Sequence, residues 1–195
     1  MKIGLFGGTF DPVHIGHLAA ARDAAGQLGL DRVILIPAAR APFKEALIAA
    51  GGDERLAMLR AAVGHDRLFE ISDFELRRGG VSYTIDTVRH FREQLPDTEL
   101  YLIVGADQWG RLAEWKDARE LVKEVTVVVV ERPGSELGTP PAGIGDLRWQ
   151  RCEGHRLDVS ASDIRARIRE GRPVDSLVPP AVAAHIRERK LYAQT

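Results

Sequence analysis

Apolar, β-branched runs alternate along the chain with segments of helical period, and this alternation narrows the fold more than any other feature. The stretch "VTVVVVERP", Val125–Pro133, carries an unbroken valine run, so the strand it forms is expected to be buried on both faces. "RVILIP", Arg32–Pro37, reads the same way. Ile3–Phe6, Leu100–Gly105 and part of "LFEISDFEL" add further strands, and a short strand-like run is expected near Leu147–Arg151. Between them, His17–Leu28, Asp53–Val63 and Thr84–Leu95 are read as helices. Leu18, Ala21, Ala25 and Leu28 mark the apolar face of the first; Ile85, Val88, Phe91 and Leu95 mark that of the third. Asp53 is expected to cap its helix. Two closing helices are expected over Ala161–Glu170 and Pro180–Arg189. Doubly buried strands alternating with helices predict an α/β fold built on a parallel sheet.

The 195 residues suffice for one sizeable core, taken as a single domain over 1–195. A formal net charge of −1 argues against non-specific attraction to nucleic acid. Cys152 is the single cysteine, which excludes an intramolecular disulfide and fits a reducing, cytoplasmic setting. No window approaches the ~18 apolar residues of a membrane span. The first apolar run breaks at Gly7 and Gly8, so no secretory leader is expected.

In parallel sheets ligands bind beyond the carboxyl ends of the strands, where strand order reverses. The polar stretch "FGGTFDPVHIGH" falls at such a place. It is neither a G-x-G-x-x-G nor a P-loop. Its glycines allow close backbone approach, and Asp11–Pro12 marks a turn. His14 and His17, three residues apart at a helix mouth, can face one point, where backbone N–H groups and the helix dipole favour an anion. Gly16 leaves room beside them. Metal ligation is less favoured, because no third ligand stands at a suitable spacing and "CEGH", Cys152–His155, is read as loop.

"GGTFDPVHIGHL" resembles the first signature of the H-x-G-H nucleotidyltransferase superfamily, and "VSASDIR", Val159–Arg165, resembles its second. "GGVSYTIDT", "LIVGADQWGRLAEW" and the closing "LVPPAVAAHIRERKLY" are similar to segments of bacterial nicotinate-mononucleotide adenylyltransferases. The resemblance implies a Rossmann-like, doubly wound parallel sheet with C-terminal helices. It implies adenylyl transfer from ATP to nicotinate mononucleotide, a step of NAD biosynthesis, with Mg²⁺ carried on the ATP. On that footing His14, His17, Lys44 and Arg165 are the expected catalytic donors. Gly7, Gly8, Thr9, Phe10, Gly105, Asp107, Ser160 and Ser162 are expected around ATP. Thr84, Trp115 and Lys116 are expected around the mononucleotide. Two positions depart from the family pattern: "APFK" places Phe43 where many members have histidine, and Lys116 follows Trp115 where relatives often have tyrosine. Trp109 and Trp149 are assigned to packing. A phosphopantetheine adenylyltransferase, a cytidylyltransferase and a non-catalytic ATP-binding module are the alternatives. Oligomeric state is not readable from the chain.

Overall fold

The computed structural model describes residues 1–42, 48–131, 137–155 and 157–193. From the amino end run β1 (Lys2–Gly8), α1 (Ile15–Leu28), β2 (Arg32–Pro37), α2 (Gly52–Val63) and β3 (Phe69–Ile71). Next come α3 (Phe74–Arg78), α4 (Thr84–Gln94), β4 (Glu99–Gly105), α5 (Ala106–Trp109), a 3-10 turn at Leu112–Glu114 and α6 (Ala118–Glu124). β5 (Thr126–Val130), β6 (Trp149–Cys152), α7 (Ala161–Arg169) and α8 (Pro180–Glu188) complete the order.

Among the described residues six strands form one sheet in the order β3-β2-β1-β4-β5-β6, every adjacent pair parallel. Leu5 stands in register with Ile34 on one side and Leu102 on the other, so β1 and β4 meet where the winding reverses. This is the Rossmann-like, doubly wound sheet that the alternation and the resemblance imply, and its switch point lies at the carboxyl ends of those two strands.

Strand pleating sorts the apolar residues into two layers. Ile34, Ile36, Leu102, Val127 and Val129 face α4 and α6, where Ile85, Val88, Phe91, Leu121 and Val122 wait. Val33, Leu35, Ile103, Val128 and Val130 pack in the other layer with Ala21 and Ala24 of α1, Met58 and Leu59 of α2, Ile164 of α7 and Ile186 of α8. The valine run is thus shared between both layers, as its lack of alternation predicts. Trp109 and Trp149 pack together at 4.8 Å, with Trp109 only 1% exposed.

Some boundaries differ from the sequence reading. α1 begins at Ile15 with His14 at its N-cap, and Gly51 rather than Asp53 caps α2. Asp53 lies in the first turn of α2, where a carboxylate still complements the helix dipole. The helices α3, α5 and α6 have 5, 4 and 7 residues, too short for periodicity to show. β5 runs Thr126–Val130, and Arg132 and Pro133 of the expected strand lie outside the described residues.

Candidate active site

The turn after β1 is built around a buried aromatic ring. Phe10 adopts φ 49°, a left-handed conformation unusual for a residue with a side chain, and is 1% exposed. A Cβ on Gly8 would approach that ring to 3.0 Å, so glycine there lets the chain fold back over it. Phe10 lies edge-on to Phe6 at 5.9 Å and to His17 at 5.0 Å. It therefore backs the histidine pair.

His14 and His17 stack with centroids 3.6 Å apart and an interplanar angle of 25°. The backbone N–H of His14 donates to His17 Nδ1 at 3.3 Å. In that arrangement the proton of the neutral His17 ring lies on Nε2, which makes Nε2 a donor. A Cβ on Gly16 would stand 3.1 Å from His14 Nδ1, so the glycine of the H-x-G-H pattern keeps the first imidazole in place. The helix mouth itself offers fewer amides than expected. Ile15 N–H donates to Leu177 O at 3.1 Å, and His17 N–H to His14 O at 3.0 Å. The C-terminal segment takes one of the donors that the sequence alone reserved for an anion, so the imidazoles carry more of that role.

Arg165 reaches the same place from α7. Its Nη1 donates to the Asp11 carbonyl at 2.6 Å, and the side chain is 23% exposed. A guanidinium has five N–H donors, so this bond orients the group without exhausting it. Val159, Ala161 and Arg165 contribute to the cleft wall from this corner. Ser160 caps α7, accepting from Asp163 N–H at 3.1 Å, and its hydroxyl lies 3.0 Å from that of Ser162.

A cleft of about 1040 Å³ joins these groups. Gly7, Gly8, Thr9, Phe10, His14 and His17 line it from the β1 side, and Gly105 and Asp107 from the end of β4. Gly105 is the N-cap of α5, and Asp107 lies in that helix's first turn. The far end is formed by Thr84, Trp115 and Lys116. Thr84 is the first residue of α4, behind a Tyr83 N-cap. Lys116 Nζ lies 3.6 Å from Asp86 and 4.5 Å from the Tyr83 ring centroid. The Trp115 indole N–H is buried and meets no acceptor among the described residues. Lys44 and Phe43 lie outside the described residues.

Several residues that shape the cleft were given no site role by the sequence. Asp11, 3% exposed, accepts from Ala49 N–H at 2.7 Å, Ala50 N–H at 3.1 Å and the Tyr192 hydroxyl at 2.7 Å. Arg55, 2% exposed, donates to the carbonyls of Thr9, Ala38 and Ala50. Burial lowers the Arg55 pKa, with Asp11 opposing the shift, and burial beside Asp11 pushes the Tyr192 phenol up. Near the Trp115 end, buried Glu75 accepts from Thr87 Oγ1 at 2.6 Å, and burial raises its pKa. Ser82 Oγ accepts from Ala39 N–H at 2.9 Å, tying the loop after β2 to the approach to α4. Cys152 is buried, and burial pushes its thiol up to about 11, which removes it as a nucleophile. The "CEGH" segment is loop after Cys152, as read. Its His155 Nδ1 lies 2.5 Å from Asp23, and the residue lines the cleft.

Residues 5–167 match the family described as cytidylyltransferase-like, a class the switch-point cleft and its imidazole pair fit. A protein of Opitutus terrae named as a probable nicotinate-nucleotide adenylyltransferase is 50% identical over 98% of both chains. One of the same name from Pelobacter propionicus is 38% identical over 100% of this chain and 99% of its own. The solved nicotinic acid mononucleotide adenylyltransferase of Plasmodium falciparum, complexed with NaAD, superposes with TM-score 0.80 at 16% identity, covering 98% of this chain and 97% of that one. The chain belongs to the cytidylyltransferase-like family, in its branch of nicotinate-nucleotide adenylyltransferases.

Proposed function

We propose that the chain transfers the adenylyl group of ATP to nicotinate mononucleotide, forming deamido-NAD and pyrophosphate. A phosphate oxygen of the mononucleotide attacks the α-phosphorus in line. The bond from that phosphorus to the α,β-bridging oxygen breaks, and pyrophosphate leaves. No protein nucleophile is required, so catalysis is positioning plus stabilisation of negative charge.

The observation that carries this reading is the convergence of His14, His17 and Arg165 on one cleft at the switch point. His17 Nε2–H and the His14 imidazole would donate to the triphosphate, and Arg165 would hold the departing phosphates. Asp107 would accept from a ribose hydroxyl, with Gly7, Gly8, Thr9 and Gly105 giving backbone approach. Phe10 would serve ATP indirectly, by backing His17. Ser160 and Ser162 would serve it by setting the start of α7. Lys44 is proposed as a further phosphate donor. At the other end Trp115 offers a face for the pyridine ring, and the first turn of α4 at Thr84 suits its carboxylate. Lys116, paired with Asp86, would border that site.

Enzymes of this kind are generally metal-dependent. Among the described residues no group of three His, Cys, Asp or Glu could hold a metal ion, so this donor set suits Mg²⁺ bound through substrate oxygens and water. Bound there, Mg²⁺ would neutralise charge on the phosphates. Among the described residues no helix is long and apolar enough to cross a membrane. With the single cysteine, we place the reaction in the cytoplasm.

The test is pyrophosphate release with ATP, Mg²⁺ and each acceptor in turn. Turnover with nicotinate mononucleotide and none with phosphopantetheine is expected. Turnover with phosphopantetheine alone, or ATP binding without turnover on any acceptor, overturns the reading.

A further inference from the structure

The chain after α8 turns back toward the cleft. Lys190 and Tyr192 both take left-handed conformations, φ 51° and 65°, which side-chain-bearing residues rarely adopt. That turn delivers the Tyr192 hydroxyl into the buried layer between α2 and the loop after β1. There it donates to Asp11 Oδ1 at 2.7 Å and lies 4.0 Å from Met58 Sδ.

Asp11 joins two structures that the cleft depends on. Its backbone carbonyl accepts from Arg165 at 2.6 Å, while its carboxylate accepts from Ala49, Ala50 and Tyr192. The other oxygen of that carboxylate, Oδ2, stands 4.0 Å from Arg165 Nη1, on the border of an ion pair. Without the tyrosine hydroxyl, Oδ1 is left with the Ala50 amide in a buried place, and a small turn of the carboxylate brings it onto the guanidinium already beside Oδ2, a strong cationic substitute. A carboxylate that closes on Arg165 takes up the donors that the cleft needs. Arg55 is the other cation near this carboxylate, and its Nε and Nη1 bonds to three backbone carbonyls hold it where it stands.

We propose that Tyr192 is a positioning residue for adenylyl transfer: by occupying the Asp11 carboxylate, it keeps the Arg165 guanidinium turned toward the phosphates. The role presupposes the adenylyl-transfer reading of the cleft. Tyr192 touches no substrate itself and acts through Asp11.

Tyr192→Phe removes one oxygen and leaves the ring. α8 stays docked on α2 through Glu54, which His185 Nε2 and Arg189 Nη2 each approach to 2.7 Å, so the tail does not depend on the hydroxyl for its place. The experiment is a double-mutant cycle with Arg165→Ala, reading kcat, KM for ATP, ATP affinity by calorimetry, and Tm for all four proteins. Tyr192→Phe is expected to lower kcat by about tenfold when Arg165 is present. In the Arg165→Ala background it is expected to change kcat by less than about twofold, because the group it positions is gone. A wild-type kcat for Tyr192→Phe overturns the role. So does the same tenfold loss in both backgrounds, which would mean that the hydroxyl acts elsewhere. A loss that follows only the fall in Tm, with kcat per folded molecule unchanged, overturns it too. If the wild-type protein releases no pyrophosphate with nicotinate mononucleotide, the adenylyl-transfer reading fails separately. Calorimetry then decides: ATP affinity sensitive to Tyr192→Phe only when Arg165 is present supports the positioning role, and equal sensitivity in both backgrounds overturns it.

Discussion

Gly16→Ala separates catalysis from stability at a single atom. Gly16 lies in the first turn of α1, outside the left-handed region, so alanine fits its backbone. A Cβ there would stand 3.1 Å from His14 Nδ1 and 3.2 Å from Cε1. Ordinary contact begins near 3.4 Å, so the imidazole must move by a few tenths of an ångström. Retreat toward His17 is closed, because the rings already stack at 3.6 Å and Phe10 backs the second ring. His14 must rotate instead, carrying its donor off the phosphate. A misplacement of about 1 Å costs on the order of 10²-fold, so this smaller shift is expected to lower kcat by about tenfold. Helix propensity acts in the opposite direction, favouring alanine by about 0.5–1 kcal/mol in a helix interior and less in a first turn. The folded state should therefore hold within about 1 kcal/mol of the parent. Steady-state pyrophosphate release and urea denaturation on the same preparation read both effects. A Gly16→Ala protein with parental kcat would refute the reasoning, since it would show that the position of His14 is not critical.

His17→Ala and Arg165→Ala should each reduce kcat by about 10²–10³-fold, measured by pyrophosphate release, as expected for loss of one preorganised donor. Trp115→Ala should raise KM for nicotinate mononucleotide while KM for ATP holds, and an unchanged mononucleotide KM would remove the stacking role. Glu75 gives a pH test. Burial raises its folded-state pKa, so its contribution to stability is present below the unfolded value of about 4.3 and is lost as pH rises through the folded pKa. Glu75→Gln should therefore match the parent Tm near pH 4 and exceed it near pH 8. Glu54 runs the other way: hydrogen bonds from Arg189 and His185 lower its pKa, so the clasp of α8 on α2 is intact above the unfolded pKa. It should loosen as pH falls through the folded value, visible as faster amide exchange in α8.

The sheet was legible because its central strands β2, β4 and β5 are buried on both faces, and such strands show as apolar runs whatever their neighbours. The short helices were not, since α3 and α5 complete little more than one turn each. At the site, His14 and His17 were legible through local spacing and Arg165 through the resemblance of "VSASDIR", and the structure brings all three to one cleft. The scaffold behind them was not. Arg55 reads as an ordinary charged residue in a helix, and only the fold buries it under three carbonyls. Tyr192 and Asp11 are 181 positions apart, so no local pattern could couple them. A separation of similar size hid the capture of Ile15 N–H by Leu177, so the amides expected at the helix mouth included one that is already bonded. Ser160 and Ser162 show a different limit: a serine before a helix reads equally as ligand donor and as cap, and here Ser160 caps α7.

The central claim is that the triphosphate lies between the stacked imidazoles and the Arg165 guanidinium. A crystal structure with a non-hydrolysable ATP analogue tests it most directly. Phosphate oxygens within about 3.2 Å of His17 Nε2 and of an Arg165 nitrogen are the predicted result. A triphosphate bound elsewhere in the cleft, with both groups still in their present contacts, would contradict it.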